Sequence, residues 1–327
     1  MQSLFNKIIK TSLYLLVFLM PLFWLPFSFE TFEFNKQYLL FFLVLIALFV
    51  WLGKMVLVDQ EVRFKRTPLD LFVLGFLFLA VLSAVFSVNK GSSVFGFYGR
   101  FSDGLIGLLG LGALYFLITN NVKEINGMLK TFLWSTFFVI LISYFSIFGL
   151  WEKINSLLPL PALMRQNTFN LVSGSMEGLA VFLAVIVIFL TGKILIQKTF
   201  SHWILLLASL GLLIIIDFSA AWWVLLASLV LFLALALWKR LFKENVNRLL
   251  LPIFLIVVAG LFLSINTANL LTLNLPQEQV LGQVISWQTG FKSATDNVKS
   301  GFLGSGIGTF HYDFAKEKPV DFNQNRL

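Results

Sequence analysis

Arg100 is the first residue that could do chemistry, because it stands among glycines and aromatic residues in a loop. Residues 94–104 read VFGFYGRFSDG. A guanidinium can hold a phosphate through two parallel hydrogen bonds, and backbone amides freed by neighbouring glycines can add donors. The segment predicts a phosphate contact at Arg100. The alternative is an arginine at a membrane interface without a ligand.

Arg165 is the second candidate for binding an anion. It follows a proline-rich turn and precedes an apolar run, so it would lie near the start of a helix. Anions bind favourably at helix N-termini, and Asn167, Thr168 and Asn170 add hydrogen-bonding groups beside it. The alternative is a loop arginine that binds nothing.

Three glycines near the end of the chain, Gly304, Gly306 and Gly308, have the spacing G-x-G-x-G. The dinucleotide-binding spacing is G-x-G-x-x-G within a strand–turn–helix unit, and neither feature is present in this sequence. The glycines therefore predict a loop turn whose backbone needs positive φ, and we expect no nucleotide cofactor.

His311 and Asp313 follow this turn. The pair could act as acid and base, but the sequence favours a surface or interfacial histidine. A metal site is not expected, because this segment has one histidine and the chain has no cysteine.

Asp217 lies between two apolar runs. A carboxylate within the membrane is by default functional, whereas one at the tip of a hairpin is solvated. The alternative to a hairpin here is one long kinked helix.

These residues must be positioned by membrane-spanning helices. The chain is 58% hydrophobic and only 12% charged, whereas soluble domains carry about 25% charged residues. A span needs about 20 apolar residues. About nine such runs occur, at residues 8–27, 38–58, 69–88, 105–119, 131–151, 177–195, 203–216, 219–238 and 249–265. The predicted fold is an all-α polytopic integral membrane protein, with residues 1–265 as the transmembrane domain.

The basic residues predict the orientation. Most loop lysines and arginines fall on the side of the N-terminus, which is therefore expected to be cytoplasmic. Membrane insertion explains the net charge of +8, so a nucleic-acid partner is not expected. The first run contains Pro21 and Pro26 and lacks a small-x-small cleavage site, which favours a retained span over a signal peptide.

Four segments are then extracytoplasmic. We call them the first loop (28–37), the second loop (89–104), the third loop (152–176) and the tail (266–327). In the tail, apolar residues recur at helical spacing after Pro276, which predicts an amphipathic helix over 277–300 along the outer face.

The sequence resembles the bacterial O-antigen ligase and O-antigen polymerase superfamily, which are multi-span inner-membrane proteins with a large late extracytoplasmic loop. Four pieces carry the resemblance: RQNTF at 165–169 with GLA at 178–180, DFSAAW at 217–222, SW at 286–287 with GFLGSGIGTF at 301–310, and KP at 318–319 with FN at 322–323.

The resemblance implies transfer of a glycan from an undecaprenyl-diphosphate carrier to an acceptor hydroxyl, outside the bacterial cytoplasmic membrane. It implies no cofactor and no metal. The partners would be a lipid-linked oligosaccharide and membrane lipid. Arg100 and Arg165 would hold the diphosphate, whose departing negative charge requires fixed cations, and a loop histidine would assist the acceptor.

Two departures from the family pattern leave other functions open. Ala220 stands where the family's Ser-Arg-x-x-Trp start has arginine, and the family's loop histidine would come after Arg326. We therefore expect the sequence to be an N-terminal fragment. One alternative is a catalytically inactive glycan-binding or assembly membrane protein. A transporter is less favoured, because no repeat of half-sequences is found.

Overall fold

The computed structural model is 78% helical. It describes residues 1–28, 30–61, 63–97, 100–157, 159–197, 199–239, 246–264, 283–296 and 298–318. Among these residues there is no β-strand beyond one isolated bridge, so the predicted all-α class is confirmed.

Fourteen α-helices are described along these parts of the chain. In order they are α1 Gln2–Leu19, α2 Glu33–Lys54, α3 Asp70–Val85, α4 Lys90–Phe95, α5 Leu105–Asn121, α6 Ile125–Ile147, α7 Leu150–Asn155, α8 Met176–Ile196, α9 Phe200–Ile216, α10 Ser219–Trp238, α11 Leu250–Ser264, α12 Gln283–Thr295, α13 Val298–Leu303 and α14 Phe310–Glu317. A π-turn, Met55–Asp59, extends α2.

Each of the nine apolar runs overlaps one of the longer helices. Five described segments are long and apolar enough to cross a membrane, namely Glu33–Asp59, Ile125–Ile147, Met176–Ile196, Ser219–Trp238 and Val246–Ser264. The chain is therefore a multi-pass membrane protein, and the count of nine spans stays a prediction. The helix in the first run ends at Leu19, because Pro21 lacks the N–H that would continue the helix.

The chain forms two compact units. One comprises Met1–Leu133 with Gln279–Leu327, and the other comprises Trp134–Glu278. The predicted boundary between transmembrane domain and loop at residue 265 stays a prediction. The first compact unit takes up the tail from Gln279 onward.

The first unit is built on α1, α2 and α5. Their facing positions are fully or almost fully buried, including Ile9, Leu13, Val44, Ala47 and Leu117. Within α1 and α2 these apolar residues recur three to four positions apart, which places them on one face of each helix. This packing positions the first and second loops at the helix ends.

The second unit is built on α8, which packs against α9 and α10, while α10 also packs against α11. Leu179, Leu183, Ile186 and Leu190 of α8 are fully buried. Asp217 has a left-handed backbone, with φ 46°, and Phe218 is extended. These two residues separate α9 from α10, so the two apolar runs form two helices and not one uninterrupted helix.

The tail differs from the predicted single helix over 277–300. Residues 277–282 lie outside the described part of the chain, and α12 ends at Thr295 before α13 begins at Val298. Asp296 lies at this break, and aspartate side chains compete with helical backbone bonds. Phe291 of the predicted apolar face is 73% exposed.

Candidate functional site

The second loop folds back on itself around Arg100. Asn89 caps α4, its side chain accepting a hydrogen bond from Ser92 N at 3.1 Å. A Cβ on Gly96 would lie 2.7 Å from Arg100 O, and one on Gly104 would lie 2.8 Å from Phe95 C. Both glycines therefore permit close backbone approach, and their amides donate to Ser92 and Phe101 within the loop. They do not supply the additional phosphate donors that the sequence suggested.

Arg100 itself is exposed. Its backbone N–H donates to Phe97 O at 2.7 Å in an isolated bridge. The charges of Arg100 and Asp103 interact electrostatically with the carboxylate of Glu33, at the start of α2. The ring of Phe101 also packs edge-on against Phe34 at 5.3 Å. The first and second loops therefore meet beside Arg100.

The tail docks on the second loop and on the end of α3. Four hydrogen bonds join them: Ser83 Oγ to Leu303 O at 2.7 Å, Val88 N to Ser305 O at 2.9 Å, Ser93 Oγ to Ile307 O at 2.7 Å, and Asn89 Nδ2 to Tyr312 OH at 2.6 Å. The acceptors in three of these bonds are backbone carbonyls of the glycine turn and the residue before it. The turn is therefore fixed against the second loop.

The three glycines of the turn have φ of 70°, 127° and 69°, as the turn interpretation requires. Gly306 approaches its surroundings most closely, because a Cβ there would lie 2.5 Å from Ser87 Cβ and 2.8 Å from Ser93 Oγ. The turn is closed by Thr309, whose hydroxyl donates to Gly306 O at 2.6 Å. The positive φ values and the close approach at Gly306 account for these glycines.

His311 lies half-buried against aromatic rings. Its ring centroid is 4.6 Å from that of Phe97 and 4.1 Å from that of Tyr312. Asp313 accepts a hydrogen bond from Ser305, and within the described residues no hydrogen bond joins Asp313 to His311. The favoured interpretation of His311 as an interfacial residue agrees with this packing. Phe97 contacts the His311 ring and also pairs with Arg100 in the isolated bridge, so the histidine lies near Arg100.

One ion pair joins α14 to α12, and a second joins α14 to Asp296, just after α12. Lys292 pairs with Glu317 at 2.7 Å, and Lys316 pairs with Asp296 at 3.0 Å and with Glu317 at 3.2 Å. Hydrogen bonds from Lys292 and then Lys316 lower the pKa of the Glu317 carboxyl. Hydrogen bonds to Asp296 and Glu317 raise the pKa of Lys316.

These shifts predict that acid loosens the contact between α12 and α14. A lowered carboxyl pKa adds stability above its unfolded value, 4.5, and that stability is lost as pH falls through the folded value. Because the chain has no cysteine, spin labels can be placed through Ala294→Cys and Ala315→Cys. We expect a broader distance distribution at pH 3 than at pH 7. With Glu317→Gln added, the difference between the two pH values should shrink, and an unchanged difference would contradict the assignment.

Arg165 lies in the other compact unit. It ends the 3-10 turn Ala162–Arg165 and is exposed. Asn170 beside it is fully buried, and its side chain is used within the loop. Its Oδ1 accepts from Val172 N at 3.1 Å and Ser173 N at 3.2 Å, and its Nδ2 donates to Ser175 O at 3.0 Å.

The N-terminus of α8 is also occupied. Ser175 caps it by accepting a hydrogen bond from Gly178 N at 3.1 Å. Asn170 and the first turn of α8 therefore organise the third loop instead of offering groups to a ligand. Among the groups predicted to bind an anion here, the Arg165 guanidinium is the charged group, and it is exposed.

Asp217 has a structural partner. Its Oδ1 accepts a hydrogen bond from Trp222 Nε1 at 2.9 Å, and the Trp222 ring stacks on Phe262 at 4.5 Å. Trp222 is fully buried. The carboxylate therefore ties the break after α9 to the first turn of α10, three residues from Ala220, the position where an arginine was expected.

Sequence reasoning missed several residues that assemble the site. Ser83, Ser93 and Asn89 hold the tail, and Phe34 packs against Phe101 beside Arg100. A cluster of small polar residues at 87–93 in an otherwise apolar region was the available signal.

The first unit thus joins one exposed guanidinium, a nearby carboxylate, a glycine turn and an aromatic-packed imidazole. Such a surface can bind an anionic group at Arg100 without a metal. Within the described residues there is no cluster of three or more histidine, aspartate or glutamate side chains that could hold a metal ion.

Comparison with known proteins adds no relative. The chain matches no protein-family model, no curated protein and no solved structure.

Proposed function

We propose that the chain takes part in transferring a glycan from an undecaprenyl-diphosphate carrier to an acceptor hydroxyl at the outer face of a bacterial inner membrane. Ligases and polymerases of the O-antigen type do this in building cell-surface polysaccharide. Arg100 and Arg165 are each candidates for contact with the diphosphate, and the tail covers the acceptor side.

The observation that carries the proposal is the meeting of three predicted outer segments at Arg100. The first loop contributes Phe34, whose ring packs edge-on against Phe101 next to Arg100 in the second loop, and the tail contributes the glycine turn docked on Ser93. The packed segments hold the backbone at Arg100, which anchors its exposed guanidinium where it can meet a leaving group that departs with negative charge. An acceptor hydroxyl would enter beside the half-buried His311.

The test is transfer in membranes containing the chain, an undecaprenyl-diphosphate-linked glycan and an acceptor. Losing a charged hydrogen-bond donor costs about 1.5–3 kcal/mol, so Arg100→Ala and Arg165→Ala should each slow transfer roughly tenfold to a hundredfold. Arg100→Lys keeps the charge but loses the paired donors. Its transfer rate should lie between the rates of the unaltered chain and of Arg100→Ala. Lys153→Ala removes another exposed cation of the third loop and should leave the rate unchanged.

Unimpaired transfer in both alanine variants would contradict the arginine assignments. The alternative function, binding of lipid-linked glycan without turnover, is favoured by Ala220 and by the absence of a hydrogen bond between His311 and Asp313 in the described residues. It predicts that the glycan carrier binds, that Arg100→Ala weakens this binding, and that no product forms. A chain that neither binds nor transfers the carrier overturns both.

A further inference from the structure

A groove on the first unit lies between the start of α3 and α5, apart from the loops around Arg100. Its volume is about 650 Å³. Eight residues line it: Phe64, Lys65, Arg66, Thr67, Asp70, Leu71, Leu74 and Phe116. Two of these are cationic and four are large and apolar, so the groove joins a basic rim to an apolar wall.

The segment that carries the two cations is anchored on both sides. The Phe64 ring packs edge-on against Trp51 of α2 at 5.3 Å. The backbone N–H of Lys65 donates to Asn120 Oδ1 of α5 at 2.7 Å. The hydroxyl of Thr67 lies 2.5 Å from that of Tyr115, also on α5. These contacts fix the backbone of the rim, although the segment has no helix of its own.

The acidic residue of the groove is already engaged. Asp70 accepts hydrogen bonds from Thr67 N at 2.7 Å, Thr67 Oγ1 at 2.6 Å and Tyr115 OH at 2.8 Å. Arg63, just before the groove, pairs with Glu61. Within the described part of the chain, Lys65 and Arg66 have no ion-pair partner and are exposed. The rim therefore presents two cations to whatever occupies the groove.

The apolar wall belongs to the membrane boundary. Leu71 and Leu74 of α3 are 78% and 52% exposed, which suits side chains that meet lipid. Asp70 marks the polar end of this apolar helix. Cations at the end of a membrane helix with apolar side chains directly beyond them match the two halves of a phospholipid, a charged headgroup and an acyl chain.

The geometry points to an anionic phospholipid bound in this groove. Its phosphate lies between the Lys65 ammonium and the Arg66 guanidinium, and one acyl chain runs along Leu71, Leu74 and Phe116. A free phosphate ion would leave the apolar wall uncovered, and a zwitterionic lipid would bring its own cation to the rim. Charge and apolar surface together favour a lipid with net negative charge.

The experiment is lipid retention by the whole chain. The protein is purified from nanodiscs that contain equal amounts of phosphatidylglycerol and phosphatidylcholine, and bound lipid is counted by native mass spectrometry. Each basic residue near an anionic surface contributes a factor of roughly five. The double variant Lys65→Gln/Arg66→Gln should therefore retain phosphatidylglycerol about twenty-five-fold less well. Phosphatidylcholine retention should not change.

The matched control is Lys7→Gln/Lys123→Gln, which removes two exposed cations from the same unit outside the groove. It should retain phosphatidylglycerol as the unaltered chain does. Leu74→Gln keeps both cations and should also weaken retention, because it places a polar group on the acyl-chain wall. Equal retention of phosphatidylglycerol by the groove and control variants overturns the proposal. It is also overturned if Leu74→Gln retains phosphatidylglycerol as the unaltered chain does and the chain binds inorganic phosphate alone, because the groove would then be a phosphate site without a lipid wall. Circular dichroism checks that each variant keeps its helices.

Discussion

Replacing Gly306 with alanine is expected to release the tail from the second loop. Gly306 has φ 127°, a conformation that residues with a side chain rarely adopt. Its added Cβ would also lie 2.5 Å from Ser87 Cβ, which is too close for any rotamer change of Ser87 to relieve. Backbone strain of about 1–3 kcal/mol and overpacking of about 1–3 kcal/mol both oppose docking.

This penalty is as large as the contacts that it opposes. The tail is held by the four hydrogen bonds that end at Leu303, Ser305, Ile307 and Tyr312. At a net value of about 1 kcal/mol each, they supply about 4 kcal/mol. Gly306→Ala should therefore leave the tail mostly undocked, and glycan transfer should fall with it if the tail covers the acceptor side.

Hydrogen exchange of the Val88 amide measures docking directly, because this N–H donates to Ser305 O at 2.9 Å. Its protection should drop in Gly306→Ala. The control is Gly301→Ala, since Gly301 lies within α13 and a Cβ there would meet Ala294 O at an ordinary 3.5 Å. Protection that is the same in Gly306→Ala and Gly301→Ala would show that the turn does not hold the tail.

Local patterns in the sequence predicted the local structure of the molecule. The apolar runs gave the long helices, and the glycine spacing gave the positive-φ turn at 304–308. Asp217 falls at a break between helices, as the hairpin interpretation requires. Each of these depends on residues within one or two turns of each other, so the chemistry of a short segment decides it.

The contacts that assemble the site could not be predicted in this way. Ser83 and Leu303 are 220 residues apart in the chain, and Ser93 and Ile307 are 214 apart. Nothing in the sequence around Ser83 or Ser93 distinguishes these serines from serines that face solvent. For Asn170 the sequence suggested a contact that the structure does not support. Its side-chain amide was expected to help bind a ligand, but it forms hydrogen bonds within its own loop. The arginines remain candidates because they are exposed, and exposure is what a ligand-binding cation needs.

Trp222 is expected to be the most costly single side chain to remove from the second unit. It is fully buried, stacks on Phe262 of α11 at an interplanar angle of 14°, and donates to Asp217 across the break before α10. Truncating a buried tryptophan to alanine costs about 3–5 kcal/mol. Helices that separate within a bilayer transfer their side chains to lipid instead of water, so we expect about 3 kcal/mol for Trp222→Ala.

Two further variants separate the contributions of Trp222. Trp222→Phe keeps an aromatic ring for Phe262 but removes the hydrogen bond to Asp217, and should cost about 1 kcal/mol. Trp223→Ala is the control, because Trp223 is the next residue of α10 and is 60% exposed. Unfolding in increasing SDS, followed by circular dichroism, gives the free energies. If Trp222→Ala and Trp223→Ala unfold at the same SDS fraction, Trp222 does not join α10 to α11. The geometry of the break before α10 would then come from the Asp217 backbone, since its left-handed φ already ends α9 without help from the side chain.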